Sequence, residues 1–462
     1  MRADDIWSAA SGQAHWRLRA IIALCIIGLI IFALRDSAAA AHWLSWPLSF
    51  IILAMATLRL CACYFALTRT RPDLFNPALL ADPAVWPSYT VLVPMRDEAH
   101  MVEPLMSSLR ALDYPIGRLE ILMISEANDP ATTAQVLKYL EPPFKSVVVP
   151  TSLPATKPKA LNVAMEQAKG EIVTIYDAED RPHSGQLKCA ARALIRDDTL
   201  EAVQAPLWLY NAPRNFLTKQ FTLEYASLFQ VWNPALARLG LPFPLGGTSN
   251  HIKREALDMA GWWDPHNVTE DADLSFRLSA MGWSIGAISL ATKAGNTGEG
   301  TREGTGEEAV SHYPNWLSQR VRWQKGFLQS WQVHMRQIRG LGWRRVLALQ
   351  ITLGTTIVVA FLHPFAIFAM TLIFFLKTFA LIGLIFAPHF IAVMLFGYGS
   401  AIYSAYVALR LSGQRSLYPS LFLMPLYWMM MFIPACLSVV EIIRAPYHWN
   451  KTRHEGEGEG GG

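Results

Sequence analysis

Apolar positions are laid down along this chain in two different patterns. Near both ends they form long runs: residues 20–34 and 46–67, then 347–411 and 421–443. In the middle they form short runs separated by segments of helical period. A run of roughly 20 apolar residues matches the hydrocarbon thickness of a bilayer, so the end regions predict membrane helices. The first run is short and also fits the apolar core of a signal peptide, with Arg17 and Arg19 before it. No small-residue cleavage site follows and the second run begins at once, so two spans are expected. Arg59, Arg69 and Arg71 lie at or beyond the end of the second span. By the positive-inside rule, the N-terminus and everything after residue 67 face the cytoplasm. His363-Pro364 and Pro388-His389 divide the later block into three or four spans. Four is preferred, because it leaves Arg444, Lys451 and Arg453 inside.

The middle reads differently. Strand-length runs at 89–93, 119–124, 146–149 and 171–176 alternate with helix-period stretches such as 102–112 and 160–168. This alternation predicts βαβ units on a parallel sheet, with ligands at the carboxyl ends of the strands. The expected organisation is an N-terminal membrane region (1–81), an α/β domain (82–345), a C-terminal membrane region (346–450) and a mobile tail (451–462). Two Gly/Glu-rich stretches, 295–308 and 455–462, are too poor in apolar residues to pack and are expected to be mobile.

Composition supports this division. Hydrophobic residues make up 52% of the chain and charged residues 16%, against roughly a quarter charged in soluble proteins. Disorder, a collagen-like fibre and a small disulfide scaffold are excluded. A net charge of +4 implies no nucleic-acid partner, and the five cysteines lack zinc or redox spacing.

Acidic groups follow the strands. Arg96-Asp97-Glu98 ends the first and Glu126-Ala127-Asn128-Asp129 the second, suiting hydrogen bonds to a nucleoside or simply a solvated loop. Lys157-Pro158-Lys159 opens a helix, where cations and free N–H groups favour a phosphate; an exposed basic loop is the alternative. Asp177-Ala178-Glu179-Asp180 clusters carboxylates at the end of a buried strand. That cluster suits Mg²⁺ or Mn²⁺, completed by substrate phosphates, or else a helix N-terminus. Thr269-Glu270-Asp271 precedes a helix whose dipole its acids complement. Gln319-Arg320-Val321-Arg322-Trp323 joins a cation pair to an aromatic, suiting either a pyrophosphate beside a stacked sugar or lipid headgroups.

Taken in order, these segments resemble the membrane-embedded family 2 glycosyltransferases, the group that includes bacterial cellulose and other β-glycan synthases. Asp177-Ala178-Glu179-Asp180 is similar to the DxD motif, Thr269-Glu270-Asp271 to TED and Gln319 to Trp323 to Q(Q/R)xRW. Gly246 to His251 is similar to an acceptor-side loop, and Pro446 to Thr452 to a segment found in a subgroup of bacterial polysaccharide synthases. The resemblance implies a GT-A-like, Rossmann-type nucleotide-binding domain held between transmembrane helices at the inner membrane. It implies Mg²⁺ or Mn²⁺ at Asp177 and Glu179, or Asp180 in place of Glu179. Glu98 and Glu126 would lie near uridine, and Lys159, Asp177, Arg320 and Arg322 around the diphosphate. Asp271 would be the general base, with Trp323, Gln319 and Glu270 on the acceptor side. The expected function is inverting transfer from a UDP-sugar to a growing β-linked glycan, processive and coupled to export with envelope partners. Single transfer to a polyprenyl-phosphate or other lipid is the alternative, and a non-catalytic membrane scaffold is a second.

Overall fold

The computed structural model describes residues 7–10, part of 20–36, and residues 37–68, 82–288, 304–376 and 388–449. The first expected span, residues 295–303 and the C-terminal tail fall largely or wholly outside the described residues.

The first continuous element is a long apolar helix, α1 (Ser37–Thr68). The α/β domain then begins with strands β1 (Tyr89–Pro94), β2 (Leu119–Glu126) and β3 (Phe144–Val149). Helix α2 (Lys157–Met165) leads into β4 (Ile172–Ile175) and the two-residue β5 (Arg181–Pro182). Next come β6 (Leu200–Gln204), β7 (Leu207–Leu209), α3 (Phe216–Ser227), β8 (Asn250–Lys253), α4 (Glu270–Ala280) and β9 (Ser284–Ala287). The domain ends with β10 (Thr305–Glu307) and the 23-residue α5 (Tyr313–Met335). Apolar helices α6 (Thr355–Leu376) and α7 (Pro388–Leu411) follow, then α8 (Met424–Met430) and α9 (Phe432–Arg444).

Seven strands form one sheet in the order β3-β2-β1-β4-β8-β6-β9. The first four pair in parallel, as the alternation predicts. Strands β1 and β4 are buried along almost their whole length because the sheet is covered on both faces. The expectation of a wholly parallel sheet fails at β8, which runs antiparallel to both β4 and β6. Its four residues, Asn-His-Ile-Lys, are too short and polar to read as a strand. A second sheet joins β5, β10 and β7. Residues 304–308 were expected to be mobile, yet β10 is buried and paired on both sides. Gly304, at φ +102°, turns the chain against Pro206, and Gly306 lets the backbone lie against Trp208.

Among the described residues, four helical segments are long and apolar enough to cross a membrane: Ser45–Thr68, Trp343–Phe368, Ile391–Leu411 and Arg415–Arg444. The last differs from the others. It breaks into a 3₁₀ stretch, α8 and α9, and it meets the α/β domain at both ends. Gln220 donates to Ser420 O (2.8 Å), Tyr427 Oη lies 3.2 Å from Trp316 Nε1, and Lys325 pairs with Glu441 (2.9 Å). α1 packs along α7, and the ends of both meet α3 in a shared apolar cluster with Ala62, Cys63, Leu223 and Ala408.

Candidate active site

One cavity of about 690 Å³ joins the strand ends of the α/β domain to the apolar helices. Its walls on the domain side come from the loops after β1, β2 and β4, the start of α2, the 246–248 loop, the start of α4, and α5. On the membrane side they come from α1, α6 and α7. Two short π-helical segments, 228–232 and 350–354, supply Trp232 and Thr352 to the lining, in keeping with the tendency of π-bulges to mark functional sites.

Glu98 and Glu126 both line the cavity. Arg96 holds them, its backbone N–H donating to Glu98 Oε2 (3.2 Å) and its guanidinium 3.7 Å from Glu126. Asp129 is committed to structure: it caps the helix that follows β2 through Thr132 N (3.1 Å) and accepts from Asp97 N (2.6 Å). It thereby ties the β1 loop, where Asp97 adopts φ +52°, to the β2 loop.

At the start of α2 the two lysines part. Lys159 donates to Pro150 O and Ser152 O and does not line the cavity. Lys157, two residues earlier and the first residue of α2, enters it, bonding Asp177 Oδ1 and Gly247 O (2.9 Å). With a proline between them at the helix start, only the tertiary course decides which lysine points inward. Burial opposes the Lys157 charge, but Asp177, Glu270 and Asp271 together hold it above the ordinary lysine range.

After β4 the acids divide. Asp180 is buried, accepting from Asp177 N (2.7 Å) and from the Thr248 hydroxyl, and it does not line the cavity. Asp177 and Glu179 do. Burial, reinforced by Asp177, pushes Glu179 up to about 8. Glu307 and Glu308, from the stretch expected to be mobile, also line the cavity. Burial and the charges of Glu179 and Asp177 raise Glu307 well above the carboxylate range. Nothing marks these two in the sequence, because they close a Gly/Glu-rich stretch with too few apolar residues to read as a strand.

Glu270 and Asp271 open α4 and face the same space. Burial, then the adjacent Asp271, pushes Glu270 up to about 8, and burial also raises Asp271. Behind them α4 is fixed by Asp273, which pairs with Arg277 (2.7 Å) and His334 (3.0 Å) in the core. α5 comes so close that a Cβ on Gly326 would sit 2.4 Å from the Thr269 side chain.

The five-residue motif on α5 separates into roles. Arg322 meets the basin; burial lowers its pKa against the pull of Glu270 and Asp271, and its guanidinium lies 4.6 Å from the Trp449 ring centroid. Arg320 is buried against Glu224 (2.7 Å) and between Phe221 (4.5 Å) and Trp323 (4.6 Å). It supports Trp323 through these contacts. Trp323 and Gln319 line the cavity, and Gln319 Oε1, though buried, has no hydrogen-bond partner among the described residues. Trp449 was not singled out as a site residue. It is brought in by Lys325, which donates to His448 O (2.8 Å), and by Gln329, which donates to Pro446 O (2.9 Å).

Among the described residues, no set of three or more His, Cys, Asp or Glu side chains converges closely enough to hold a metal ion by itself. Asp177 and Glu179 nevertheless form an electrostatically strained acidic pair, which a divalent cation completed by phosphate oxygens would relieve.

The chain is 27% identical over 321 residues to a beta-monoglucosyldiacylglycerol synthase of Nostoc sp., covering 68% of this chain and 64% of the relative. It is 24% identical over 325 residues to cellulose synthase 2 of Novacetimonas hansenii, covering 69% of this chain and 18% of that protein. The chain therefore spans somewhat less than two thirds of the synthase it matches. Among solved structures, a mannosyltransferase of Pyrobaculum calidifontis in complex with GDP-Man and Mn²⁺ aligns at 18% identity and a TM-score of 0.48, over 85% of this chain and 99% of that one. The model for glycosyl transferase family 2 matches residues 90–243. The model for glycosyl transferase family group 2 matches residues 172–440, from β4 through the site and into α9, and the chain belongs to that family.

Proposed function

We propose that this glycosyltransferase takes a sugar from a UDP-sugar, with inversion, and adds it to a hydroxyl presented from the bilayer by a lipid-linked acceptor. The observation that carries the reading is the single cavity running from Asp271 to Ile51, Ile52 and Leu362 on the apolar helices. Such walls suit hydrocarbon, and the top of the space suits a nucleotide-sugar.

Asp271 accepts the proton of the acceptor hydroxyl as that oxygen attacks the anomeric carbon and UDP departs from the opposite face. Its raised proton affinity, caused by burial, brings it nearer to the working pH of a base. Glu98 and Glu126 accept from the nucleoside, while Lys157 and Arg322 meet the charge that develops on the diphosphate. Asp177 and Glu179 would hold Mg²⁺ or Mn²⁺, which neutralises leaving-group charge when bound. Gln319 and Trp323 orient the acceptor.

A second reading, a growing β-glycan as acceptor, is supported by Trp323, which lines the cavity; an indole can hold a sugar that slides between additions. In either case the α/β domain faces the cytoplasm at the inner membrane, and protease access to residues 82–288 from outside intact cells would overturn that placement.

The deciding experiment supplies purified protein with several UDP-sugars and Mg²⁺ in the presence of membrane lipid, then resolves the products. A lipid carrying one sugar supports the first reading. Many UDP released per chain, with long polymer, replaces it with the second. No UDP release with any donor or acceptor sinks both.

A further inference from the structure

Arg59 is unusual for its place. It lies within an apolar segment of α1, two turns after Ile51 and Ile52 on the same helix face, and it lines the membrane half of the cavity. Its Nη1 donates to Ser400 Oγ on α7 (3.2 Å), and Ser400 gives its own proton to Gly397 O (2.8 Å). A guanidinium has five N–H donors, and this is the one bond that Arg59 makes among the described residues. No described carboxylate pairs with it. Charges inside membrane segments are costly and ordinarily paired, so an unpaired one beside a cavity calls for an anion.

Its surroundings define which anion. Farther from the α/β domain the lining is aliphatic, with Ile51, Ile52, Leu362 and Met394. Beside it are neutral polar groups: Ser404, Tyr398, and His363, whose Nδ1 lies 2.8 Å from Tyr398 Oη. Toward the domain comes the basin of Asp271. Hydrocarbon, one cation and the base for a reacting hydroxyl thus share one space, the division found in a sugar linked to a lipid through phosphate, whose tail, phosphate and free hydroxyl follow in that order. We infer that Arg59 binds the phosphate of a lipid-linked acceptor, at a site separate from the donor's diphosphate. This rests on the lipid reading above and narrows it to anionic lipids; a planar guanidinium fork suits phosphate oxygens.

The test measures binding with no UDP-sugar present. Full-length protein in detergent is titrated with a polyprenyl phosphate, with the matching neutral polyprenol, and with inorganic phosphate as competitor, followed by native mass spectrometry. The phosphate lipid should bind at least about tenfold more tightly than the polyprenol, the usual worth of a charge-assisted bond. Inorganic phosphate should compete poorly. Arg59→Gln should reduce the phosphate lipid to the polyprenol's affinity, Arg59→Lys should keep part of the preference, and UDP affinity should be unchanged in both. If Arg59→Gln loses UDP binding through misfolding, Arg59→Lys and Ser400→Ala carry the test, each expected to weaken only the phosphate lipid. Equal binding of the two lipids, a preference that survives Arg59→Gln, or full competition by inorganic phosphate overturns the inference. Arg59-dependent binding of a lipid that never receives sugar would leave this site standing and overturn the acceptor reading instead.

Discussion

The domain half of the cavity brings Asp177, Glu179, Glu270, Asp271 and Glu307 together with Lys157 and Arg322, whereas the membrane half sets Arg59 among aliphatic and neutral polar side chains. In the first, five carboxylates face two cations, and burial together with the neighbouring acids raises the proton affinities of Glu179, Glu270 and Glu307. In the second, the cation bonds only a serine among the described residues. The domain half is therefore rich in carboxylates that two cations partly answer, and the membrane half holds a cation with no described carboxylate partner. Substitutions in one half should move donor chemistry, and in the other acceptor affinity.

The largest effect should come from the base. Asp271→Asn keeps the shape and removes the proton acceptor, so turnover should fall by roughly 10² to 10⁴, while UDP and acceptor affinities stay close to normal. An asparagine variant with ordinary turnover would show that the proton goes elsewhere. Next, Lys157→Ala should cost about 10² to 10³ in turnover, the range for a donor aimed at developing charge. Lys159→Ala should change it by less than about twofold, as expected of a lysine outside the cavity. Equal losses in the two variants would undo the assignment of Lys157.

On the membrane side, Ala401 lines the cavity from α7. Ala401→Trp should fill part of it and raise the acceptor KM by about tenfold with kcat and UDP affinity nearly unchanged, the pattern of lost uniform binding. If UDP affinity fell instead, the two halves would not be separable.

A smaller, structural effect is expected at the seam. Gly326→Ala must push α5 away from Thr269, which at about 1–3 kcal/mol of overpacking should lower the thermal midpoint by a few degrees and loosen Asp271. A variant as stable as the parent would mean that α5 shifts freely.

The smallest effect is a pH slope. Glu179 and Glu270 are raised to about 8 in the folded chain, against an ordinary value of about 4.3. Between those values the folded state holds more protons than the unfolded one. Stability without donor should therefore fall as pH rises and level off above about 8. His251, lowered by burial to about 3, acts in the opposite sense but only below its ordinary value of about 6.5. Thermal midpoints between pH 6.5 and 8 should thus decline in the parent and flatten in Glu179→Gln and Glu270→Gln. Parallel slopes in all three would remove these carboxylates as the cause.

Much of the site could be read from the chain because strand ends carry their chemistry locally. Glu98, Glu126, Asp177 and Asp271 each follow or open a regular element, and once the sheet forms they must converge at its carboxyl edge. The apolar length of α1, α6 and α7 likewise followed from hydropathy, since bilayer thickness sets it. Other features depended on contacts distant in sequence. Whether Lys157 or Lys159 points inward is a matter of helix rotation against Gly247. Asp180 is withdrawn from the cavity by Thr248, Arg320 lines it but is tied to Glu224, and β8 reverses direction through a loop that no periodicity marks. Glu307 joins the basin because β10 pairs with β7, an alignment that requires Gly304 and Gly306 and that looked like mobility in one dimension. Sequence determined which elements form and which chemistry they carry, because backbone propensity and burial act over a few residues. The tertiary structure alone decided which of two neighbouring acids or lysines faces the cavity, because that choice is made by side chains far away in the chain.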